Sequence, residues 1–263
     1  MTRLRTDVTP VLLTADEEAN LHRTLAALTW AQRVVVLDSC SDDATPEIAR
    51  SFANVSLHQR AFDDHTTQWN HALSLVETPW ALSLDADYVV QAEGVREMED
   101  RLASEALDGY WGRFVYCVWG RPLRAALYPP RLVLFRLDRA RYEPDGHTQR
   151  LRLDGEAGNL LTPLLHDDRK PLSRWLEVQA RYAALEAGYL ARTSPSQLGR
   201  NDRLRRRLLG PFLVLPYCLL GKGLLFGGRA GWFYSLQRLY AEVLLALALM
   251  ERQANPAAGD RPA

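Results

Sequence analysis

The first 90 residues alternate between short apolar runs and longer segments in which apolar residues recur every three or four positions. The runs predict β-strands and the longer segments predict amphipathic helices. The predicted strands cover residues 8–13, 33–37, 55–57 and 80–84. The predicted helices cover residues 17–28, 43–52 and 66–77. This alternation indicates an α/β domain with a mostly parallel sheet and helices on both faces.

The pattern changes after residue 109, where strand-like segments are rich in aromatic residues and arginine. These segments are 110–116, 131–136 and 148–153, with turns predicted at 128–130 and 143–146. We expect them to complete or flank the sheet. The segment 164–168 then closes a first domain, residues 1–168, and a helix is predicted over about 172–190.

The C-terminal third differs in charge from the rest of the chain. Residues 200–238 carry eight Lys and Arg against one acid, whereas residues 1–100 carry seven Lys and Arg against 17 acids. The basic run 200–207 leads into the apolar stretch 208–220, which Pro211 and Pro216 interrupt, so the stretch is too broken for a clear membrane span. A run of basic residues followed by apolar residues is typical of a segment that lies among lipid headgroups.

We therefore expect residues 169–254 to form a helical region that associates with a membrane surface through residues 200–251, followed by a disordered tail, 255–263. The other interpretation is a helical hairpin that packs on the core or on a second copy of the chain. Residues 239–250 would suffice for that hairpin, and a homodimer is left open.

Composition is that of an ordinary globular protein, with 263 residues of which 47% are hydrophobic and 24% charged. The three cysteines are too scattered for a disulfide framework or a zinc cluster, and the N-terminal residues lack the apolar core of a signal peptide. We expect a cytoplasmic protein, peripheral on the inner face of the cell membrane.

Nucleic acid is not an expected partner, because the basic stretch is apolar between its charges and the rest is acidic.

Acidic and polar residues follow three of the predicted strands, at 14–18, 38–43 and 85–87. The carboxyl ends of parallel strands meet at one edge, which is where such sheets bind ligands. Asp85 and Asp87 are separated by one residue on a predicted extended segment, so their side chains point to the same side. Two carboxylates this close repel each other unless a positive charge lies between them. Mg²⁺ or Mn²⁺ shared with a substrate phosphate is the simplest interpretation, and a polar strand end or helix cap is the alternative. Glycine-rich phosphate-binding motifs are missing, so the metal is expected to meet most of the phosphate charge.

Four ordered blocks of the sequence resemble the nucleotide-sugar domain of family 2 glycosyltransferases, and most of all the branch that contains the lipopolysaccharide-core β-glucosyltransferases. The blocks are 12–21, 30–45, 68–73 and 80–87, and they include Thr14-Ala-Asp-Glu-Glu, Asp38-Ser-Cys-Ser-Asp-Asp-Ala-Thr45 and Leu84-Asp-Ala-Asp87. The segments 128–136, 145–147, 165–167 and 175–186 are similar but less distinctive. Three residues depart from the pattern of the branch: Asp16 stands where Asn is usual, Tyr88 replaces a Glu, and Thr148 replaces the Glu of a His-Glu pair.

The resemblance implies a GT-A fold and inverting transfer of a hexose from a nucleotide sugar, with UDP-glucose favoured, to a lipid-linked or cell-envelope glycan. It implies that the Asp-x-Asp (DXD) motif binds Mn²⁺ or Mg²⁺ through Asp87 and Asp85, with His166 as a further ligand. A hydrogen-bonded histidine at a strand end is the alternative for His166. The residues expected to bind the nucleotide sugar are Thr14, Asp16, Glu17, Asp38, Asn70 and Asp85.

Inverting transfer also needs a base for the acceptor hydroxyl. Asp145 is the leading candidate, followed by His147 and then Asp167. An aspartate in the sequence Pro-Asp-Gly is also ordinary turn chemistry, so a structural role for Asp145 is an equal alternative.

Two other functions share the same sequence features. A sugar nucleotidyltransferase has a similar sheet and acidic metal site, but it usually carries a glycine-rich loop with Arg or Lys, and the segment 14–18 is acidic instead. A non-catalytic, membrane-associated scaffold that keeps a nucleotide-sugar fold is the second alternative, because fold alone does not prove activity.

Overall fold

The computed structural model describes residues 3–104, 106–145 and 148–254, without the side chains of residues 3, 145 and 148. The chain forms two compact units. One contains the residues up to Pro122 together with Leu127–Arg169, and the other contains Leu123–Ala126 and the residues from Lys170 onward. The predicted division into domains 1–168 and 169–254 stays a prediction, because compactness does not establish independent folding. The predicted disordered tail, 255–263, lies outside the described residues.

The first part of the first unit follows the predicted alternation of strands and helices. Its strands are β1 (Val8–Thr14), β2 (Val34–Asp38), β3 (Val55–Gln59) and β4 (Trp80–Asp85). Its helices are α1 (Arg3–Asp7), α2 (Leu21–Ala26), α3 (Thr45–Arg50) and α4 (His65–Ser74). The four predicted strands and three predicted helices are confirmed, although α2 is shorter than predicted and α1 was not predicted.

The second part of this unit contains more elements than the sequence indicated. They are β5 (Tyr88–Val89), α5 (Ala92–Ser104), β6 (Gly109–Gly112), β7 (Phe114–Val118), β8 (Arg121–Pro122), β9 (Arg131–Arg136), a 3₁₀ turn (Leu137–Arg139), β10 (Ala140–Asp145), β11 (Thr148–Leu153), β12 (Ala157–Asn159) and β13 (Leu164–His166). The prediction of one strand over 110–116 was wrong, because the chain leaves one sheet after β6 and enters another at β7. The turn predicted at 143–146 was wrong for residues 143–145, which belong to β10, an edge strand that tolerates Pro144, and residue 146 lies outside the described residues.

Within the described residues, the central sheet has seven strands in the order β12-β6-β9-β4-β1-β2-β3. Strand β1 is parallel to both β2 and β4, and β2 is parallel to β3. Strand β9 is antiparallel to β4 and to β6. A second sheet has the order β5-β13-β7-β8, and β10 and β11 form a hairpin. The predicted mostly parallel sheet flanked by helices is therefore confirmed.

Both faces of the central sheet are buried, as its β-branched runs predict. In β2, Val34 and Val36 belong to one apolar cluster, whereas Val35 and Leu37 belong to another. Successive side chains of a strand point to opposite faces, so these two clusters lie on the two sides of the sheet. This packing fixes the strand ends, and thereby the loops that follow them.

The second unit is helical in the part of it that the structure describes. It comprises α6 (Leu172–Arg192), α7 (Arg200–Arg206), α8 (Gly210–Pro216), a π-helical turn (Tyr217–Gly221), a 3₁₀ turn (Leu224–Phe226) and α9 (Gly228–Ala254). The helix predicted at 172–190 is confirmed, and residues 239–250, named for the alternative helical hairpin, lie within α9. Helix α9 packs against both α6 and α8.

A buried ion pair links two helices of this unit. Arg205 of α7 donates to Oε1 of Glu242 on α9 through Nε at 2.9 Å and through Nη2 at 2.7 Å. The Glu242 side chain is only 7% exposed and that of Arg205 is 31% exposed. A carboxylate this deeply buried depends on its partner, because an unpaired charge is costly to keep out of water.

Helix α9 is long and apolar enough to cross a membrane by length and composition, and it is the one helix among the described residues that meets this test. Its most apolar window has a mean hydropathy of 1.2 and is 28% buried. The same properties occur in helices that never enter a bilayer, so they do not assign α9 to a membrane.

We predict that Arg205→Met lowers the free energy of unfolding by about 2–3 kcal/mol, because it leaves the Glu242 carboxylate buried without its partner. Urea denaturation followed by circular dichroism measures this change. Arg207→Met is the matched control, since Arg207 is exposed, and it should stay within about 0.5 kcal/mol of the wild type. Equal stability of the two variants would contradict the assigned importance of the ion pair.

Candidate active site

The carboxyl ends of β1, β2 and β4 lie side by side in the sheet. Leu13 pairs with Asp85, and Thr14 pairs with Asp38. The structure therefore brings the segments that follow these strands to one edge, as the sequence predicted. Thr14 and Asp38 also contact each other directly, since the Thr14 hydroxyl donates to Asp38 Oδ1 at 2.9 Å.

The loops after β1 and β2 are joined by hydrogen bonds from backbone to side chain. The N–H of Asp16 donates to Ser41 Oγ at 2.9 Å, and the N–H of Glu17 donates to Thr45 Oγ1 at 2.7 Å. Asp16 has a φ of 54°, in the left-handed region that Asp and Asn tolerate better than most residues. Aspartate can thus replace the usual asparagine at this position without losing the turn.

Asp38 organises this edge of the sheet from a fully buried position. Besides the Thr14 hydroxyl, its carboxylate accepts from the N–H of Ser41 at 2.9 Å, from the Ser41 hydroxyl, and from Gln59 Nε2 at 3.1 Å. Its oxygens are thus satisfied within the protein. The contact between Asp38 and a nucleotide stays a prediction, and in this structure the carboxylate orders the loops around it.

Two other predicted nucleotide-binding residues also have partners within the protein. The amide of Asn70 donates to the carbonyl of Tyr142 and accepts from its N–H, both at 3.0 Å, and so fastens α4 to β10. Glu17 Oε2 accepts from Asn20 Nδ2 at 2.9 Å. The roles of Asn70 and Glu17 towards a nucleotide stay predictions.

Asp87 and His166 lie in direct contact next to the end of β4. His166 Nε2 is 3.0 Å from Asp87 Oδ2, and both side chains are largely buried. The contact arises because β13 pairs antiparallel with β5, which places His166 opposite Tyr88. The N–H of Asp167 reinforces the arrangement by donating to the Asp87 carbonyl at 3.0 Å. A histidine 79 positions further along the chain thus reaches Asp87, and its role as a metal ligand stays a prediction.

The buried polar atoms of this pair fit a divalent cation. Asp87 Oδ1 and His166 Nδ1 are buried without a hydrogen-bond partner. The 3.0 Å between Oδ2 and Nε2 is also the spacing of two adjacent ligands on a metal with bonds of about 2.1 Å. Among the described residues, however, no three or more His, Cys, Asp or Glu side chains are grouped so that they could hold a metal ion. A cation held here would need further oxygen ligands from water and from a phosphate, as Mg²⁺ sites commonly have.

Arg131 is a functional candidate that sequence reasoning missed. Its Nη1 is 3.5 Å from Asp85 Oδ2, and its guanidinium lies 5.1 Å from the centroid of the Tyr128 ring. Burial opposes the charge of Arg131, but Asp85 raises its pKa. The pairing of β4 with β9 creates the contact, and neither the pairing nor its register can be read from the sequence. Arg131 gives the edge a fixed positive charge beside the acids.

Three tyrosine rings surround His166. The ring centroids of Tyr88, Tyr116 and Tyr128 lie 5.2, 4.7 and 4.7 Å from that of the imidazole. The hydroxyls of Tyr88 and Tyr128 are hydrogen-bonded to each other. Burial, followed by the charge of Asp85, raises the pKa of Tyr88 well above its usual value. Tyr88 stands where the glycosyltransferase branch named above usually has a glutamate. Its neutral side chain is buried and lies against the His166 ring.

Asp167, the third candidate for the base, is engaged elsewhere. Its Oδ2 accepts from Arg169 Nε at 2.9 Å and from Arg169 Nη2 at 2.7 Å, and Arg23 Nε is 3.6 Å away. The N–H of Gly120 donates to Oδ1 at 3.2 Å. Two arginines and a backbone N–H hold this carboxylate, so the geometry favours a structural role for it.

A buried asparagine holds the segment after β13 in place. Asn20 donates through Nδ2 to Asp168 Oδ1 at 2.9 Å, and its Oδ1 accepts from the N–H of Arg169 at 2.9 Å. Because Asn20 lies next to α2, these bonds connect the loop after β1 with the loop that follows His166. The two halves of the site are thereby positioned by one side chain.

The leading candidates for the base fall at the edge of what the structure describes. The backbone of Asp145 ends β10 and pairs with Thr148, but the Asp145 side chain is outside the described part of the chain. His147 lies outside it as well. Their assignment stays a prediction.

Comparison with known proteins gives a family and a fold. The model of a family described as "Glycosyl transferase family 2" matches residues 11–154. No curated protein matches the chain.

Solved structures resemble the chain at low sequence identity. A mannosyltransferase, PcManGT from Pyrobaculum calidifontis in complex with GDP-Man and Mn²⁺, is 16% identical, with 95% of this chain and 88% of that one covered and a TM-score of 0.52. S. aureus TarS 1–349 is 14% identical, with 98% and 93% covered and a TM-score of 0.48. Glucosyl-3-phosphoglycerate synthase from Mycobacterium tuberculosis, solved with phosphoglyceric acid, is 18% identical, with 72% and 81% covered and a TM-score of 0.49. The family match and the likeness to the mannosyltransferase confirm the GT-A fold that the resemblance implied.

We predict that His166 titrates above the ordinary histidine pKa of 6.5 in protein freed of metal with EDTA. Burial opposes its charge, but the charge of Asp87 and the hydrogen bond to it raise the pKa. A raised pKa in the folded state means that the charged imidazole stabilises the fold. This contribution is complete below pH 6.5 and is lost as the pH rises through the folded-state pKa. Histidine NMR gives the pKa directly, and urea denaturation across this pH range gives the stability.

The control is a pair of variants, His166→Gln and His71→Gln, the second at an exposed histidine of α4. Only His166→Gln should remove the fall in stability above pH 6.5. An NMR pKa below that value, or an unchanged pH profile in His166→Gln, would contradict the assigned contact.

Proposed function

The chain belongs to glycosyl transferase family 2, because the family model matches more than half of it, and on that premise we propose which sugar transfer it performs. The proposed reaction moves a hexose from a nucleotide sugar, with UDP-glucose as the first candidate donor, to a lipid-linked or cell-envelope glycan, with inversion at the anomeric carbon. UDP-glucose and the lipopolysaccharide core come from the sequence resemblance to the β-glucosyltransferase branch. Membership of the family places the chain among glycosyltransferases rather than nucleotidyltransferases.

The observation that carries this proposal is the group formed by Asp85, Asp87, His166 and Arg131 at the carboxyl edge of the sheet. It combines two carboxylates, a buried imidazole and a fixed cation. This combination suits a divalent metal together with a diphosphate, because the acids attract the metal and Arg131 attracts the phosphate oxygens. The presence of Mn²⁺ and GDP-Man in the complex of the mannosyltransferase PcManGT supports the same use of the fold.

Each of the chain's own groups has a role in the proposed transfer. The loops that Asp38 and Asp16 order would hold the base and ribose, and Asp85 would contact the nucleotide sugar. Asp87 and His166 would hold the cation, and Arg131 would compensate charge on the diphosphate. Bound Mn²⁺ or Mg²⁺ supplies Lewis-acid stabilisation of the departing diphosphate.

The bond changes follow from inversion. The acceptor oxygen forms a bond to the anomeric carbon from the face opposite the diphosphate, and the bond from that carbon to the diphosphate oxygen breaks. The acceptor proton passes to a base, for which Asp145 and then His147 are our candidates. The products are the glycosylated acceptor and a nucleoside diphosphate.

The acceptor we propose is borne on a lipid or on a cell-envelope glycan. The basic and apolar residues 200–251 support a peripheral position on the inner face of the cell membrane, from the cytoplasmic side.

Purified protein should hydrolyse or transfer sugar from one member of a panel of nucleotide sugars only when Mn²⁺ or Mg²⁺ is present, with UDP-glucose the first expected. Asp87→Asn should lower this turnover at least a hundredfold, because the carboxylate that holds the cation is lost. Asp100→Asn, at an exposed acid of α5, is the control and should keep wild-type turnover. Near-normal turnover of Asp87→Asn would overturn the metal assignment, and no turnover with any donor would favour the scaffold alternative.

Arg131→Met should lower kcat/KM for the donor about tenfold or more, because a charge-assisted contact to the diphosphate is removed. Arg131→Lys keeps the charge and should recover part of the loss. Arg136→Met changes an arginine of similar exposure at the other end of β9, 44% against 47%, and should have little effect. Steady-state kinetics with whichever nucleotide sugar the panel shows to be turned over measure these changes. An unchanged kcat/KM in Arg131→Met would count against a contact between Arg131 and the diphosphate.

A further inference from the structure

Helix α9 carries a continuous row of exposed apolar side chains. Its members recur every three or four residues, the spacing of one face of a helix. They are Trp232, Leu236, Tyr240, Val243, Leu247 and Met250. Their exposed fractions lie between 37% and 57%, so the row stays largely exposed although Trp175 of α6 contacts the Tyr240 ring.

The segment before α9 has a similar face. Its exposed apolar residues are Leu209, Phe212, Leu213, Tyr217 and Leu220. Phe212 is 76% exposed, and Phe226 in the following 3₁₀ turn is 79% exposed. Single exposed apolar residues are ordinary, but many large ones on two segments that pack against each other mark a surface that contacts something apolar. We call these residues, together with the row on α9, the apolar surface.

The ion pair of Glu242 argues against α9 as a membrane-crossing helix. Glu242 lies near the middle of α9, and Arg205 of α7 holds it. A helix of 27 residues is about 40 Å long, so crossing would carry Glu242 to the centre of the hydrocarbon layer. Arg205 would either follow with the rest of basic helix α7 or leave the carboxylate unpaired, and both are costly in hydrocarbon.

The charges around the apolar surface point to an anionic partner. Between residues 203 and 241 the sequence has seven Lys and Arg and no Asp or Glu. Arg203, Arg207 and Arg229 are exposed, and Lys222 is half-buried with its ammonium 5.6 Å from the centroid of the Tyr217 ring. Two copies of the chain that met through this face would bring these like charges together, whereas anionic lipid headgroups would neutralise them.

We propose that the apolar surface lies in the plane of one leaflet of an anionic phospholipid bilayer, with α9 parallel to the membrane and not across it. The apolar side chains enter the acyl boundary, and the arginines contact the phosphates of the headgroups. This inference rests on the proposed function in one respect: the membrane contact would bring the enzyme to an acceptor that is borne on a lipid.

Vesicle flotation of the full chain tests the proposal. The protein should float with vesicles of phosphatidylcholine and phosphatidylglycerol in equal amounts, and much less with phosphatidylcholine alone. Phe226→Glu and Leu236→Glu, each at an exposed position, should lower partitioning into the mixed vesicles about tenfold or more. Leu161→Glu, at a residue of the first unit that is 65% exposed, is the matched control and should bind as the wild type does. Thermal melts check that all variants are folded.

An alkaline carbonate wash separates surface contact from crossing. A helix that lies in the headgroup region should be released from the washed membranes, whereas retention would show a crossing helix and overturn the proposal. Absence of flotation, or flotation that Phe226→Glu and Leu236→Glu leave unchanged, would overturn it as well. If sedimentation instead shows a dimer that these two substitutions dissociate, without vesicle binding, the partner is a second copy.

None of these measurements uses a sugar donor or a metal. Failure of the proposed sugar transfer would therefore show only in the turnover assays, and failure of the membrane contact only in the flotation and wash. The variants of the apolar surface should keep wild-type turnover of the donor in solution.

Discussion

Two carboxylates at the end of one buried strand must be compensated by positive charge, and much of the first unit is arranged to do so. Asp85 is met by Arg131 from β9, and Asp87 is met by His166 from β13. Both compensating groups come from strands that run antiparallel to their neighbours at the site, β9 beside β4 and β13 beside β5. The parallel part of the sheet thus supplies the acids, and the later strands supply the groups that compensate their charge.

The same site is held by hydrogen bonds between segments that are distant in sequence. Asn20 connects the loop after β1 with the residues after His166, and Asp167 secures those residues through Arg169. Asp38 connects the loops after β1 and β2 from a fully buried position. Several polar residues that look like ligands for a substrate therefore have a structural task. A site built this way is preorganised, so binding a donor need not pay for ordering the loops.

The sequence predicted the alternating strands and helices of the first 90 residues, because buried parallel strands and amphipathic helices have distinct periods. It also predicted that the acidic segments meet at one edge, since parallel strands end together. It did not predict the contact of Arg131 with Asp85, because that contact depends on the antiparallel pairing of β9 with β4. Tyr88 looked like a departure from the family pattern, and only the tyrosine rings around His166 explain it.

In the second unit the sequence indicated a basic and apolar region but not how its helices are arranged. The decisive feature is the pair of Arg205 and Glu242, which are 37 positions apart and face each other only after α7 and α9 have packed. Composition alone made α9 a candidate for crossing a membrane, and a single buried carboxylate near its middle changes that interpretation. In both units, therefore, the feature that the sequence did not reveal is a charge pair between residues distant along the chain.

The central claim is that Asp87 and His166 bind a divalent cation together with the diphosphate of a nucleotide. Isothermal titration of UDP into the wild-type protein, with Mn²⁺ and then with EDTA, tests it most directly. The account predicts that UDP binds at least tenfold more tightly with Mn²⁺, and that Asp87→Asn abolishes this difference although circular dichroism shows the variant to be folded. Equal affinity for UDP with Mn²⁺ and with EDTA would contradict it.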